Sequence, residues 1–268
     1  MLFRYEYQGG TWIDLEQPTE DELRDVINEF HIGKRIENEL LSPTPAPLVT
    51  GDKNDMLLVL HFPTQGAKNG ETKNQELDFL VSKSFIITTH YEVIAPLHRL
   101  KKLLETRSLV VQDEFITTDI LLEIIFMHLY ASVRDHVSHI VSRMTAVELE
   151  MFNGSGRKTV RTISNINREF LHLKSALANQ EEPLRRFFEM LTKNNILDDS
   201  FSERAEHILS EQEQVMRFIE THHAIALELR ETNVALLELR QNEIMKILTI
   251  VIFGVELVAL AFSLHWVF

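Results

Sequence analysis

The chain has 268 residues, no cysteine, and a formal net charge of −13 from 40 acidic and 27 basic side chains. Without cysteine it has no disulfide framework, no thiol nucleophile and no thiolate zinc site, and a reducing compartment is expected. The negative charge would repel a phosphate backbone, so nucleic-acid binding is not expected. The acidic side chains could bind cations, although a soluble surface whose negative charge keeps molecules apart is the simpler explanation.

Residues 1–108 predict an α/β cytoplasmic domain. Short apolar runs bounded by Gly, Pro, Asn or Asp predict strands at 2–7, 11–15, 56–62, 77–81 and 85–89. Thr19 and Glu22 form a capping box that opens a helix reaching about Phe30, and another helix is predicted at 93–106. Prolines predict a loop at 42–47. The N-terminus lacks the pattern of a signal peptide.

Long helices are predicted over the rest of the chain. Apolar residues at helical spacing predict helices at 115–152 and 160–191, with a stop at Asn153 to Gly156 and a polar turn at 193–199. A third helix should start near Phe201 and meets no Gly or Pro before Gly254. We therefore divide this part into a helical hairpin, 109–200, a stalk helix, 201–243, and a transmembrane helix, 244–268. The predicted fold class is an α+β domain followed by long helices.

The segment 247–264 is predicted to span a membrane, because it is apolar except for Glu256 and covers roughly 27 Å as a helix. Lys246 and the aromatic end at Trp266 and Phe268 would anchor its two ends. The alternative is a buried core helix. Arg240 and Lys246 precede the segment and no basic residue follows it, which places the soluble body in the cytoplasm.

A strip of polar residues follows one helical face through the stalk. It runs from Glu228, Glu231 and Glu238 through Asn242, Met245, Thr249 and Ile252 to Glu256. Copies of the helix around an axis would stack these carboxylates into rings, which attract hard divalent cations such as Mg²⁺. The glutamates of the stalk also fit an ordinary solvated face. A glutamate in the middle of a membrane span, such as Glu256, is expected to face the interior of a helix bundle. Alternatively, Glu256 is a neutral acid that hydrogen-bonds to a neighbouring helix.

Two further sequence patterns bear on catalysis and metal binding. His136 and His139 lie one turn apart with Asp135 beside them, a spacing compatible with a metal, but no further ligand is identifiable. The chain has no GxSxG, P-loop or HExxH motif, so we do not expect an enzyme, and no cofactor is implied.

Several segments resemble the CorA family of magnesium and divalent-cation channels. They are Trp12 to Leu15 with Pro18 and Thr19, Glu76 to Leu80, Phe85 to Glu92, and above all Asn242 to Ile250. The resemblance implies a cytoplasmic α/β domain and a long stalk helix that becomes the first of two transmembrane helices of a homopentamer. It also implies a pore lined by Asn242, Met245 and Leu248, with stalk acids comparable to Glu231.

Four features depart from that family. Its Gly-Met-Asn signature would fall by spacing at residues 266–268, which are Trp, Val and Phe, and no second transmembrane helix follows. Leu257 stands near the family's mid-helix proline, and Glu256 occupies an apolar pore position. Either the chain is a fragment of a longer product or it is a divergent relative. The altered residues inside the span favour divergence.

The leading functional hypothesis is passive transport of Mg²⁺ or a related divalent cation across the inner (plasma) membrane. The predicted ion pathway is Asn242, Met245, Leu248 and Glu256, and the predicted metal-binding residues are Glu231 and Glu238. The alternative is a non-transporting, membrane-anchored sensor, scaffold or subunit of the same family. A soluble acidic module that binds a partner is a third possibility.

Overall fold

The structure is a computed structural model that describes residues 1–65, 72–108, 116–152 and 156–267, with side chains over 1–63, 74–106, 116–152 and 158–259. It contains two compact units. The body unit comprises Met1–His139 and Arg168–His222, and the stalk unit comprises Ile140–Asn167 and His223–Phe268. The mixed α/β N-terminal region followed by long helices is as predicted.

A six-stranded sheet forms the centre of the body unit. Its strands are β1 (Leu2–Tyr7), β2 (Gly10–Glu16), β3 (Leu48–Gly51), β4 (Asp55–Gln65), β5 (Thr72–Ser82) and β6 (Phe85–His90), in the order β1-β2-β6-β5-β4-β3. The pairing of β2 with β6 is parallel and the others are antiparallel. All five predicted strands are confirmed. β3 was not predicted, because four residues after a proline-rich loop are too few to show alternation.

Two short helices cover one face of the sheet. α1 (Glu20–Glu29) starts at the predicted capping box: Thr19 N donates to Glu22 Oε2 at 2.9 Å and Glu22 N donates to Thr19 Oγ1 at 3.2 Å. α2 (Lys34–Leu40) was not predicted. Both helices bury aliphatic side chains against Ile13, Leu57 and Ile87 of the sheet.

Longer helices cover the other face. They are α3 (Ala95–Ser108), the first part of α4 (Thr118–Phe152), α6 (Glu181–Lys193) and the start of α7 (Phe201–Val267). Aromatic rings join these layers: the centroid of Phe126 lies 4.7 Å from that of Phe79 on β5 and 5.8 Å from that of Phe188. The predicted start of α4 at Phe115 lies outside the described residues.

The prediction of a single helix at 160–191 is wrong, because this region forms two helices, α5 (Gly156–Ala178) and α6. The chain turns at Asn179 and Gln180. Gln180 is buried; its Nε2 donates to the carbonyl oxygen of His61 at 2.8 Å and its Oε1 accepts from the Tyr130 hydroxyl at 3.0 Å. Pro183 then falls in the first turn of α6, where a missing N–H is harmless, rather than inside a helix.

The stalk unit consists of the end of α4, the start of α5 and the rest of α7. Asn167 Nδ2 donates to the carbonyl oxygen of Ala226 at 3.4 Å, and Thr159 Oγ1 donates to Asn233 Oδ1 at 3.4 Å. Arg240 Nη2 donates to the carbonyl oxygen of Met151 at 2.8 Å. The predicted continuous helix after Phe201 is confirmed.

Within the part of the chain that the structure describes, no helix has a stretch long and apolar enough to cross a membrane. Described side chains on α7 end at residue 259. The predicted span, 247–264, runs past that point, and its C-terminal end and residues 266–268 lie outside the described side chains.

Candidate functional site

The predicted pathway and metal-binding residues all lie on the part of α7 in the stalk unit. They are Glu231, Glu238, Asn242, Met245, Leu248 and Glu256. All six are exposed in the single chain, Met245 by 54% and Leu248 by 50%. Within the described part of the chain, the three glutamates form no ion pair. Their carboxylates are therefore available to solvent or to another copy.

This acidic strip lies opposite the side of α7 that packs on the hairpin of α4 and α5. The packed side is marked by Ala226 and Asn233, both buried. At 3.6 residues per turn, Asn242 is roughly 180° round the helix from Asn233, and Glu256 is roughly 140° round. Leu248 is roughly 60° from both Met245 and Asn233, so it lies between the strip and the packed side. The geometry therefore leaves the strip uncovered by its own chain.

The described residues contain one group of three potential metal ligands, and the sequence did not predict it. Asp14, Glu16 and His90 place ligand atoms within 4.8 Å of one another where the parallel strands β2 and β6 end. Lys101 Nζ on α3 lies 2.5 Å from Asp14 Oδ2 and 3.5 Å from Glu16 Oε2. The ammonium group therefore takes the place of a cation.

Both ring nitrogens of His90 face oxygen atoms in this cluster. Its Nδ1 lies 2.5 Å from the carbonyl oxygen of Glu92, and its Nε2 lies 3.2 Å from Asp14 Oδ1. The Lys101 ammonium group lies against both carboxylates. We conclude that the cluster is a closed structural network rather than an open ion site.

The pKa of Asp14 reflects the same network. Burial alone would raise the pKa of Asp14, but hydrogen bonds and charges from His90 and Lys101 outweigh burial and hold it below the usual value. Thr88 Oγ1 also donates to Asp14 Oδ1 at 2.6 Å. The sequence shows Asp14 and His90 at strand ends, but nothing in it pairs them with Lys101.

Asp78 on β5 shows the opposite behaviour. Its side chain is buried, and no described donor reaches either carboxylate oxygen. Burial, and then the negative charge of Glu76, raise the pKa of Asp78 well above the usual range. Glu76 Oε2 accepts a hydrogen bond from the backbone N–H of Thr44 at 2.7 Å. Its surroundings therefore favour the neutral form of Asp78 over the carboxylate.

The histidine pair on α4 lines a surface cavity of about 480 Å³ in the body unit. His136 and His139 share this cavity with Asp135 and Arg99, whose Nη2 donates to Ser132 Oγ at 3.4 Å. The three candidate ligands do not converge as a metal-binding group within the described residues. The positive charge of the Arg99 guanidinium in the cavity wall further disfavours the binding of a cation.

The family profile described as CorA-like Mg²⁺ transporter protein matches residues 7–253. No curated protein gives a significant match.

Three solved structures share the fold. The complete CorA magnesium transporter of Methanocaldococcus jannaschii is 20% identical, with a TM-score of 0.77 over 93% of this chain and 77% of that chain. The full-length CmaX protein is 14% identical, with a TM-score of 0.74 over 90% and 72%. The ZntB cytoplasmic domain of Vibrio parahaemolyticus is 13% identical, with a TM-score of 0.68 over 89% and 90%.

At these identities the structural likenesses establish the fold alone. The family profile, however, covers almost the whole chain, from residue 7 to residue 253. The chain therefore belongs to the CorA-like Mg²⁺ transporter protein family.

Proposed function

We propose that this chain forms an oligomeric pore for passive transport of Mg²⁺ or a related divalent cation. The pore is lined by α7, lies in the inner (plasma) membrane, and has the body unit in the cytoplasm. The observation that carries the proposal is the exposed acidic strip of α7 opposite the side that packs on the hairpin. Family membership supports Mg²⁺ as the transported ion, and the family resemblance supports assembly as a homopentamer.

The membrane span is supported by exposure as well as by hydropathy. Between Ile244 and Val258, every large apolar side chain of α7 is 50–72% exposed. A helix that is apolar all round needs an apolar environment on all sides. Apart from Glu256 the sequence stays predominantly apolar to Leu264, so this stretch approaches the thickness of a bilayer core. Arg240 and Lys246 before it favour a cytoplasmic body.

The strip defines what each residue does in the assembled pore. Rings of Glu231 and Glu238 concentrate cations at the cytoplasmic approach. Asn242 presents an amide oxygen, a ligand type that suits hydrated Mg²⁺, and Met245 and Leu248 narrow the mouth. Glu256 faces the bore, where a carboxylate within a membrane is tolerated.

Rescue of a bacterial strain that lacks magnesium uptake tests this function. The intact chain should restore growth at low Mg²⁺, and Glu256→Gln should reduce the rescue. Glu243→Gln is the matched control, because Glu243 is an exposed glutamate of the same helix that lies off the strip. Expression without rescue by the intact chain would reject transport.

A second candidate is a non-transporting, membrane-anchored subunit or scaffold. It is favoured by the sequence at 266–268, which is not Gly-Met-Asn, and by Glu256 within the predicted pore. Such a subunit should co-purify with a full-length relative and should alter the relative's transport. Absence of association, together with ion flux through the pure chain, would reject it.

A further inference from the structure

The end of the hairpin of α4 and α5 exposes large apolar side chains that its packing does not use. Leu149 and Phe152, three residues apart on one side of α4, are 66% and 64% exposed, and Val160 at the start of α5 is 45% exposed. Val147 and Met151 on the packed side are buried. We call Leu149, Phe152, Lys158, Val160 and Arg161 the hairpin tip.

A hydrogen bond sets the height of the hairpin tip along α7. Arg240 Nη2 donates to the carbonyl oxygens of Met151 at 2.8 Å and Phe152 at 3.4 Å. Arg240 precedes the exposed apolar run that begins at Ile244 by about 6 Å along the helix axis. The headgroup layer on each side of a bilayer is about 5–8 Å thick. The tip therefore lies level with that layer if α7 spans the membrane.

The charge of this segment is opposite to that of the whole chain. From Glu148 to Arg168 the four basic residues Arg157, Lys158, Arg161 and Arg168 outnumber the two acidic residues Glu148 and Glu150, in a chain of net charge −13. The Lys158 and Arg161 side chains are exposed, and Lys158 Nζ lies 3.0 Å from Glu150 Oε1. Exposed basic residues beside apolar ones are typical of surfaces that bind anionic lipid headgroups.

We propose that the hairpin tip docks into the headgroup layer of an anionic bilayer. Phe152 and Leu149 insert between the headgroups, and Lys158 and Arg161 contact lipid phosphates. This inference rests on the proposed anchoring of α7, and it gives the stalk unit a second membrane contact beside that helix. The transport proposal does not require it.

Single-cysteine labelling of the full chain tests the docking, because the natural sequence has no cysteine. Phe152→Cys, Val251→Cys and Leu171→Cys each carry an environment-sensitive NBD fluorophore in phosphatidylcholine vesicles, with or without phosphatidylglycerol. Val251 reports on the anchor, because it is 55% exposed and lies roughly 180° round α7 from Asn242 of the strip. Lipids bearing nitroxides at the headgroup or in the acyl chain report depth. Leu171 is the matched control, since it is apolar and 55% exposed further along α5.

The expected result is headgroup-nitroxide quenching at Phe152, acyl-chain quenching at Val251 and no quenching at Leu171. Phosphatidylglycerol should strengthen the quenching at Phe152. Each of Lys158→Gln and Arg161→Gln should lower the ratio of docked to undocked tip roughly fivefold. Leu149→Cys repeats the measurement with Phe152 intact.

Three outcomes would overturn the proposal. Quenching at Val251 without quenching at Phe152 or Leu149 removes the docking and leaves the anchor in place. Absence of quenching at every position removes both the anchor and the docking. The third outcome is a probe at Phe152 whose emission is blue-shifted in detergent micelles and is not quenched by lipid nitroxides in vesicles. It would show that a second copy of the chain, and not lipid, covers the tip.

Discussion

Lys101 Nζ lies 2.5 Å from Asp14 Oδ2, an ion pair buried between α3 and the end of β2. Removing one partner of a buried pair leaves the other charge uncompensated. Lys101→Met should therefore lower the free energy of unfolding of the full chain by about 3–5 kcal/mol. Urea unfolding in micelles, followed by tryptophan fluorescence, measures it, since the buried Trp12 bonds Thr88 in the same network.

The neighbouring Lys102 provides the control, because it is exposed on the same helix. Lys102→Met should change the free energy of unfolding by no more than about 0.5 kcal/mol. Equal effects at both positions would contradict a specific role for Lys101.

The depressed pKa of Asp14 predicts how stability depends on pH. A carboxyl group whose folded pKa lies below the unfolded value of about 3.9 contributes stability above that value and loses it as pH falls through the folded pKa. The difference in free energy of unfolding between the natural chain and Asp14→Asn should thus be constant near neutrality. It should decrease as the pH falls below about 4. A difference that widens on acidification would contradict the assignment.

The raised pKa of Asp78 predicts the opposite sign. The folded chain holds this proton more tightly than the unfolded chain, so stability is lost as pH rises from about 3.9 toward the folded pKa. Asp78→Asn removes that loss and should be more stable than the natural chain, by on the order of 1–3 kcal/mol in alkaline solution. Unfolding measured across a pH series tests it.

Asp25 on α1 is exposed and serves as the control for this substitution. The gain from Asp78→Asn should shrink toward acid, whereas Asp25→Asn should show no such trend. A destabilised Asp78→Asn at alkaline pH would indicate that the ionised carboxylate is needed.

Gln180 predicts a third effect on stability. Gln180→Leu leaves the Tyr130 hydroxyl and the His61 carbonyl without partners, at about 1–3 kcal/mol for each group. Adding Tyr130→Phe to that variant should recover part of the loss, because it removes one unpaired group. A double-mutant cycle from chemical unfolding measures the coupling, and strict additivity of the two changes would contradict the proposed bond.

Local patterns predicted most of the fold. Alternation and turn residues identified five strands, and the capping box at Thr19 identified the start of α1. The break between α5 and α6 escaped prediction, because apolar spacing continues through it and the buried partners of Gln180 lie far away in sequence. β3 and α2 are too short for periodicity to identify.

The same distinction applies to the sites: spacing within one helix can be predicted from the sequence, whereas contacts between separate elements cannot. Helical spacing alone places Glu231, Glu238, Asn242, Met245 and Glu256 on one face of α7. The cluster of Asp14, His90 and Lys101 joins three separate elements, so only the sheet register and the position of α3 bring it together. Whether the strip encloses a pore depends on other copies of the chain, and one sequence cannot determine that.

Magnesium flux through the pure, full chain in liposomes tests the central claim most directly. Vesicles that contain a fluorescent Mg²⁺ indicator should show uptake through the natural chain, several-fold slower uptake through Glu256→Gln, and unchanged uptake through Glu243→Gln. Uptake no faster than in protein-free vesicles, with the chain shown to be inserted, would contradict a transport function and favour the non-transporting subunit.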